Sequence, residues 1–306
     1  MESPLTGKKN VKCLGTASTS EIAARWKRSL NVDLGGAFRD IGELEYYRCE
    51  DTGLCWYAPF YAAGGSELYA ELEKFDWYYM PEKWEFSQAI KMLQPDDKVL
   101  EVGVGSGFFL EKCRANGIEV VGLELNRSAA RRAREKGFEV YEIDLHALAD
   151  TMGSNRFDAI CSFQVLEHVA EPGKFLEGML NNLGIGGRLI LSVPNGAVMR
   201  RIDPERKGLL NQPPHHMSHW DAGVFHAIEK IFPVRLRSAR CEPLAKYHVN
   251  WVVTAYIRSM FSGLGGYATG VLFNRVTLLP VVALLKLGFR KWLPGHTLLV
   301  ELDKVD

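Results

Sequence analysis

Val99-Leu100-Glu101-Val102-Gly103-Val104-Gly105-Ser106-Gly107 is the stretch whose reading decides the fold. A short β-prone run closes through an acid onto three glycines at alternate positions, and a helical segment follows from Phe108. Glycines carry no side chain, so a ligand can lie against bare backbone where a strand turns into a helix, at the carboxyl edge of a parallel sheet. The dinucleotide fingerprint requires a third glycine three residues after the second. Here that position is Phe108, so the G-x-G-x-G spacing argues against an NAD-dependent dehydrogenase.

Outward from this turn, short β-rich apolar runs alternate with amphipathic stretches, the pattern of a parallel sheet covered by helices on both faces. Strands are expected over 98–102, 119–125, 139–144, 157–163 and 188–193, with helices opening near Gly107, Arg127, His146 and Pro172. Asp221 suits the N-cap of a helix whose apolar face is Val224, Phe225, Ile228, Ile231 and Phe232, and 234–241 gives a sixth strand. Upstream, 20–30 reads as a helix, 45–57 as one or two strands and 67–89 as an aromatic-rich helix. The first three core strands end on Glu101, Glu124 and Asp144. Acids often decorate strand ends singly, but three in register point to one ligand site. Glu124 follows the glycine turn by about twenty residues, where a carboxylate accepts ribose hydroxyls.

Thirty-seven basic residues balance thirty-seven acidic ones, so the chain lacks the global positive field that non-specific nucleic-acid binding needs, and no nucleic-acid partner is expected. The six cysteines are scattered, and Lys8, Lys9 and Asn10 stand where a secretory signal would be apolar, which points to a reduced, cytoplasmic protein.

Two later segments make the pattern specific: Ser162-Phe163-Gln164-Val165-Leu166-Glu167-His168-Val169, and Gly186-Gly187 leading into Leu189-Ile190-Leu191-Ser192-Val193-Pro194-Asn195. With the glycine turn they make residues 85–245 resemble class I S-adenosylmethionine-dependent methyltransferases of the ubiquinone-type and methyltransferase-23 branches. The resemblance implies a doubly wound, seven-stranded, mostly parallel α/β sheet (the Rossmann-like methyltransferase fold) whose last strand is best supplied by 296–302, pairing antiparallel with the sixth and covering an apolar edge. The organisation expected is an N-terminal extension over 1–75, a core over 76–246, a helical insertion or cap over 247–291 outside the sheet, and the last strand within 292–306. The resemblance also implies S-adenosylmethionine as cofactor, bound by Glu101, Gly103, Gly105, Gly107, Glu124, Asp144 and Gln164, with Asp144 on the adenine amino group and Leu125 and Leu145 sandwiching the ring. A methyltransferase fold that binds without catalysing is the alternative, against which the intact glycines and acids stand.

A sulfonium methyl is electrophile enough, so the protein needs mainly to align a nucleophile and exclude water, with a base where the acceptor must lose a proton. The acceptor is expected to be a small or lipid-linked molecule methylated on oxygen, nitrogen or carbon. The polar stretch after the fifth strand holds His215, His216 and His219, and we expect it to meet Glu167 and His168 beside the transferable methyl, with His216, His219 and His168 as candidate catalytic groups. A related arrangement with a further glutamate three residues before the Glu-His pair binds a divalent metal in small-RNA-end and some quinone-pathway methyltransferases. Gln164 occupies that position here, a weaker ligand, so no metal is expected. The zinc knuckles of some relatives are broken too, since Thr16 and Thr52 stand where cysteines would follow Cys13 and Cys49. The aromatics Phe75, Trp77, Tyr78, Tyr79, Trp84 and Phe86 suit a lid, and 260–290 suits a cap, a dimer contact or a peripheral membrane contact.

Overall fold

In the computed structural model, which describes residues 1–34, 36–261, 272–274 and 276–306, the chain opens with three antiparallel strands: β1 (Val11–Ser18), β2 (Glu43–Cys49) and β3 (Cys55–Ala58). Helix α1 (Thr19–Leu30) lies between the first two; the Ser18 hydroxyl caps it on Glu21 N–H, Asn31 ends it in the left-handed region, and Ile22 and Trp26, one turn apart, point into the protein. The strand β1 was not expected.

The aromatic stretch over 67–89 is not one helix. It forms α2 (Ser66–Leu72) and α3 (Trp84–Ile90), separated by turns through Trp77, Tyr78, Tyr79 and Pro81. Pro81 lacks the N–H a continuing helix would use, and the intervening rings face a cavity rather than a helix partner.

The core then alternates as expected: β4 (Lys98–Val102), α4 (Phe108–Ala115), β5 (Glu119–Leu123), α5 (Arg127–Glu135), β6 (Val140–Tyr141), α6 (Leu145–Met152), β7 (Phe157–Phe163), α7 (Pro172–Asn182) and β8 (Leu183–Pro194). β6 is shorter than the 139–144 expected, because Asp144 already caps α6 by accepting from His146 N–H. After β8 come α8 (Gly196–Ile202), the two-residue β9 (Ser218–His219), α9 (Ala222–Ala227), capped by Asp221 as the pattern required, and β10 (Val234–Pro243). Helix α10 (Val249–Met260) and the helix Leu279–Lys286 lie outside the sheet, as expected of the insertion; its residues 262–271 and 275 lie outside the described residues. β11 (Pro294–Lys304) closes the chain.

The larger sheet runs β10-β11-β8-β7-β4-β5-β6, with β4 to β8 parallel. β11 is antiparallel to β10, as expected, yet it does not cover an edge. It sits between β10 and β8 and is antiparallel to both, with Leu302 opposite Leu236 on one side and Leu189 on the other. Leu298, Leu299, Val300 and Leu302 are buried on both faces, so an interior position suits them better than an edge.

The extension is not a separate unit. β9 adds a fourth strand beside β3, placing Cys55 opposite His219 and Trp56 opposite Ser218. Cys49, Leu54 and Trp56 share one apolar cluster with Leu100, Leu191 and Val193 of the large sheet, so no packing boundary falls at residue 75.

Candidate active site

The carboxyl ends of the parallel strands open into a cavity of about 1230 Å³. Its floor on one side is the glycine turn. Gly103, Gly105 and Gly107 have φ of +83°, +54° and +78°, a region in which side chains are strained, and a Cβ on Gly103 would stand 2.4 Å from Val165 while one on Gly105 would stand 2.8 Å from the Tyr79 ring. The turn therefore requires glycine for its conformation and for its closeness to neighbours.

Glu124, just past β5, is tied to this turn: one oxygen accepts from Gly105 N–H at 2.8 Å and the other from Asn126 N–H at 2.8 Å. A carboxylate has about four acceptor positions, so the group is fixed in place with capacity left for a ligand. Burial pushes its pKa up, opposed by those two backbone N–H groups, which favour the charged form. Leu125 beside it is 67% exposed at the cavity, an apolar face that a flat ring would cover, and the buried Leu145 lies across on α6. Asp144 lines the same wall. Glu101 is buried at the end of β4 with one oxygen unpaired among the described residues, and burial together with the Glu124 charge holds it well above the usual carboxylate range. Gln164 adopts φ +57°, its N–H bonded to Ser192 O, so β7 ends in a strained residue of the kind that concentrates at functional sites.

The opposite wall is rich in histidine. His168, on a short 3-10 turn after β7, meets His215 and His216 from the long loop before β9, and one ring nitrogen of each lies within 4.8 Å of the others. His168 Nδ1 faces His215 O, and the His215 ring spans Leu210 O and the Tyr78 hydroxyl. His216 Nδ1 is buried without a hydrogen-bond partner among the described residues, and so are both oxygens of Glu167, one of which lies 3.8 Å from His168 Nε2. Burial drives the pKa of His168 down to about 4 and His216 well below its ordinary value, while it raises Glu167 to about 8. Near neutrality the histidines are free bases and Glu167 is a neutral acid. His215 already has both ring nitrogens engaged, which leaves His168 and His216 as the groups here with ligating or proton-accepting capacity and Glu167 as a proton donor.

Convergence of Glu167 and His168 with the loop histidines is thus what the structure shows, with one correction. His219 does not reach the cavity. In β9, its Nδ1 bonds the Tyr46 hydroxyl at 2.7 Å and its Nε2 faces Asn211 O at 3.1 Å, so strand pairing with β3 turns it into the small sheet as a strut. Of the aromatics that suit a lid, Trp77, Tyr78, Tyr79, Trp84 and Phe86 line the cavity and Phe75 does not.

Sequence reasoning missed a second set of polar residues lining the cavity: Lys83, Glu85, Glu242, His248 and His296. One signal was available. β11 runs against the parallel strands, so its beginning, His296, lies at the edge where they end, and β10 brings its last residues, including Glu242, to the same edge.

Residues 77–238, just over half of the chain, match the family model described as Methyltransferase domain, the methyltransferase-23 family. The chain belongs to this family. A ubiquinone biosynthesis O-methyltransferase of Alkalilimnicola ehrlichii is 31% identical over 104 residues, 32% of this chain and 42% of that protein. Another, from Nitrosococcus oceani, is also 31% identical over 104 residues, 32% of this chain and 44% of its own length, so the matching stretch spans less than half of these relatives. Among solved structures, an S-adenosylmethionine-dependent methyltransferase from Archaeoglobus fulgidus aligns with a TM-score of 0.45 at 15% identity over 79% of this chain and 95% of that one. A putative one from Listeria monocytogenes gives 0.48 at 13% identity, covering 72% and 98%. The glycine turn and Glu167-His168 lie inside the family match; β1 to β3 and everything after 238 lie outside it.

Proposed function

We propose that the chain transfers the methyl group of S-adenosylmethionine to a lipid-linked or small acceptor. The observation that carries this reading is that the glycine turn, Glu124 and Asp144 open into the same cavity as His168 and His216. The donor set fits the cofactor: a glycine cradle that a Cβ would fill, a fixed carboxylate with acceptor capacity, and an exposed leucine lining the cavity beside it. In this reading Glu124 accepts the ribose hydroxyls, Asp144 meets the adenine amino group, Leu125 and Leu145 hold the ring, and Glu101 with the backbone of Gly103, Gly105 and Gln164 receives the methionine end. When bound, the cofactor supplies an electrophilic methyl. His216, kept neutral by burial and unpartnered at Nδ1, accepts the proton of an attacking hydroxyl, while the aromatic lid from Trp77 to Phe86 excludes water. Contact with a membrane through 260–290 belongs to the same reading, since a lipid-linked acceptor has to be met there.

Incubation with methyl-labelled S-adenosylmethionine and fractionated lipid and polar extracts, read by mass spectrometry, should yield one labelled product. Titration calorimetry showing no binding of the cofactor or its demethylated product would overturn the reading.

A further inference from the structure

Residues 243–300 contain six lysines and arginines and no aspartate or glutamate, in a chain whose charges otherwise balance, so the remainder carries the six compensating negative charges. The same span is where apolar surface collects. Of the eighteen large hydrophobic residues exposed among the described residues, twelve lie between Tyr247 and Leu293. The helix Leu279–Lys286 shows why. Val282 and Leu285 pack on α10 against Val252 and Val253, which would satisfy an ordinary amphipathic helix, yet Val281 and Leu284 on its other side are 48% and 49% exposed, and Leu287, just past its end, is 84% exposed. Phe289 and Trp292 extend this face, Trp292 at 80% exposure, while Arg290 pins the turn to the body through Leu244 O at 2.8 Å. Lys246, Lys286 and Lys291 are exposed around it.

We propose that this face docks on an anionic lipid bilayer. A second protein copy would meet the same apolar residues, but Lys246, Lys286 and Lys291 would then face their own counterparts, whereas an anionic surface neutralises them. Exposed tryptophan and phenylalanine rimmed by lysines is the composition of an interfacial element. No helix among the described residues is long and apolar enough to cross a membrane, so the face lies on the bilayer. Tyr247 and His248, which lead into α10, also line the active-site cavity, so the docked face borders its mouth and a lipid-linked acceptor enters from the membrane side. Docking stands without the proposed methyl transfer; only the route of the acceptor rests on it.

Sedimentation of the full chain with vesicles of phosphatidylglycerol and phosphatidylcholine tests this, with pure phosphatidylcholine as reference. The expected result is at least tenfold stronger partition to the anionic vesicles. The double substitution Leu284→Glu with Leu287→Glu should cut partition at least tenfold, and Lys286→Glu with Lys291→Glu should remove the preference for anionic lipid, both with unchanged melting temperature and unchanged affinity for S-adenosylhomocysteine. The lysine pair is exposed and keeps the test alive if the leucine pair impairs folding. Absent or charge-independent partition overturns the proposal, as does a lipid-free dimer that Leu284→Glu with Leu287→Glu dissociates. Loss of cofactor binding with vesicle binding intact would instead count against the methyl-transfer reading alone.

Discussion

The two walls of the cavity are built in opposite ways. The glycine-turn wall comes from consecutive units of one βαβ progression, Gly103 after β4, Glu124 after β5 and Asp144 before α6, all within about forty residues of chain and all inside the family match. The histidine wall is assembled from a turn after β7, a loop tied down by β9, the end of β10 and the start of β11, and it leans on an extension that lies outside the match. The first wall is a property of the fold and the second a property of this chain. In the proposed reading, a cofactor held by the fold and an acceptor chosen by this chain are the functional counterparts of that difference.

The sharpest break between the walls should come from Gly103→Val. The left-handed backbone costs a side chain about 1–2 kcal/mol, and the β-branch meets Val165, so cofactor affinity should fall at least about a hundredfold by calorimetry. A change below about threefold would show that the turn does not hold the cofactor. His216→Ala should leave that affinity unchanged and reduce turnover about a hundredfold, with partial rescue by added imidazole if the ring serves as base. If cofactor affinity falls instead, the walls are not separable. Glu124→Ala removes a charged acceptor and releases the Gly105 and Asn126 N–H groups, which should cost about 1.5–3 kcal/mol of cofactor binding, tenfold or more, in a folded protein.

The mildest distinction concerns pH. His168, His219 and His296 are held near 4 by burial, and burial likewise holds His215 and His216 well below the ordinary value of about 6.5 in an unfolded chain. An unfolded histidine takes a proton that the folded one refuses, so their contribution is complete above about 6.5 and lost as pH falls towards 4. Glu167, raised to about 8, acts oppositely: its contribution is complete below the ordinary carboxylate value and lost as pH rises through about 8. Melting temperature should peak near neutrality, and His219→Phe should flatten the acid limb while sparing turnover. An acid limb unchanged in that variant would place the acid sensitivity elsewhere.

This asymmetry also explains what the sequence could reveal. The glycine turn, the strand-end acids and the short strands and helix caps around them are local patterns, set by residues a few positions apart. His219 misled because proximity along the chain to His216 says nothing about which of two sheets claims it; the deciding fact is its pairing with Cys55, more than one hundred and sixty positions away. The aromatic segment read as one helix because its spacing is helical up to Leu72 and again from Trp84, while the break at Pro81 serves the cavity. Glu242, His248 and His296 carried no motif at all; the end of β10, the entry to α10 and the reversed start of β11 bring them to the site.

The pairing of β3 with β9 has a consequence for biosynthesis. Tyr46 and its partner His219 are separated by 173 positions, which at ribosomal rates is an interval of roughly 10–35 s. The glycine turn, β5 and β6 are all translated inside that interval, whereas the histidine wall waits for β9 and then for β11. A nascent chain therefore completes the glycine-turn wall before the histidine wall, with β3 offering an unpaired edge until β9 is made, which is where a chaperone would be needed most.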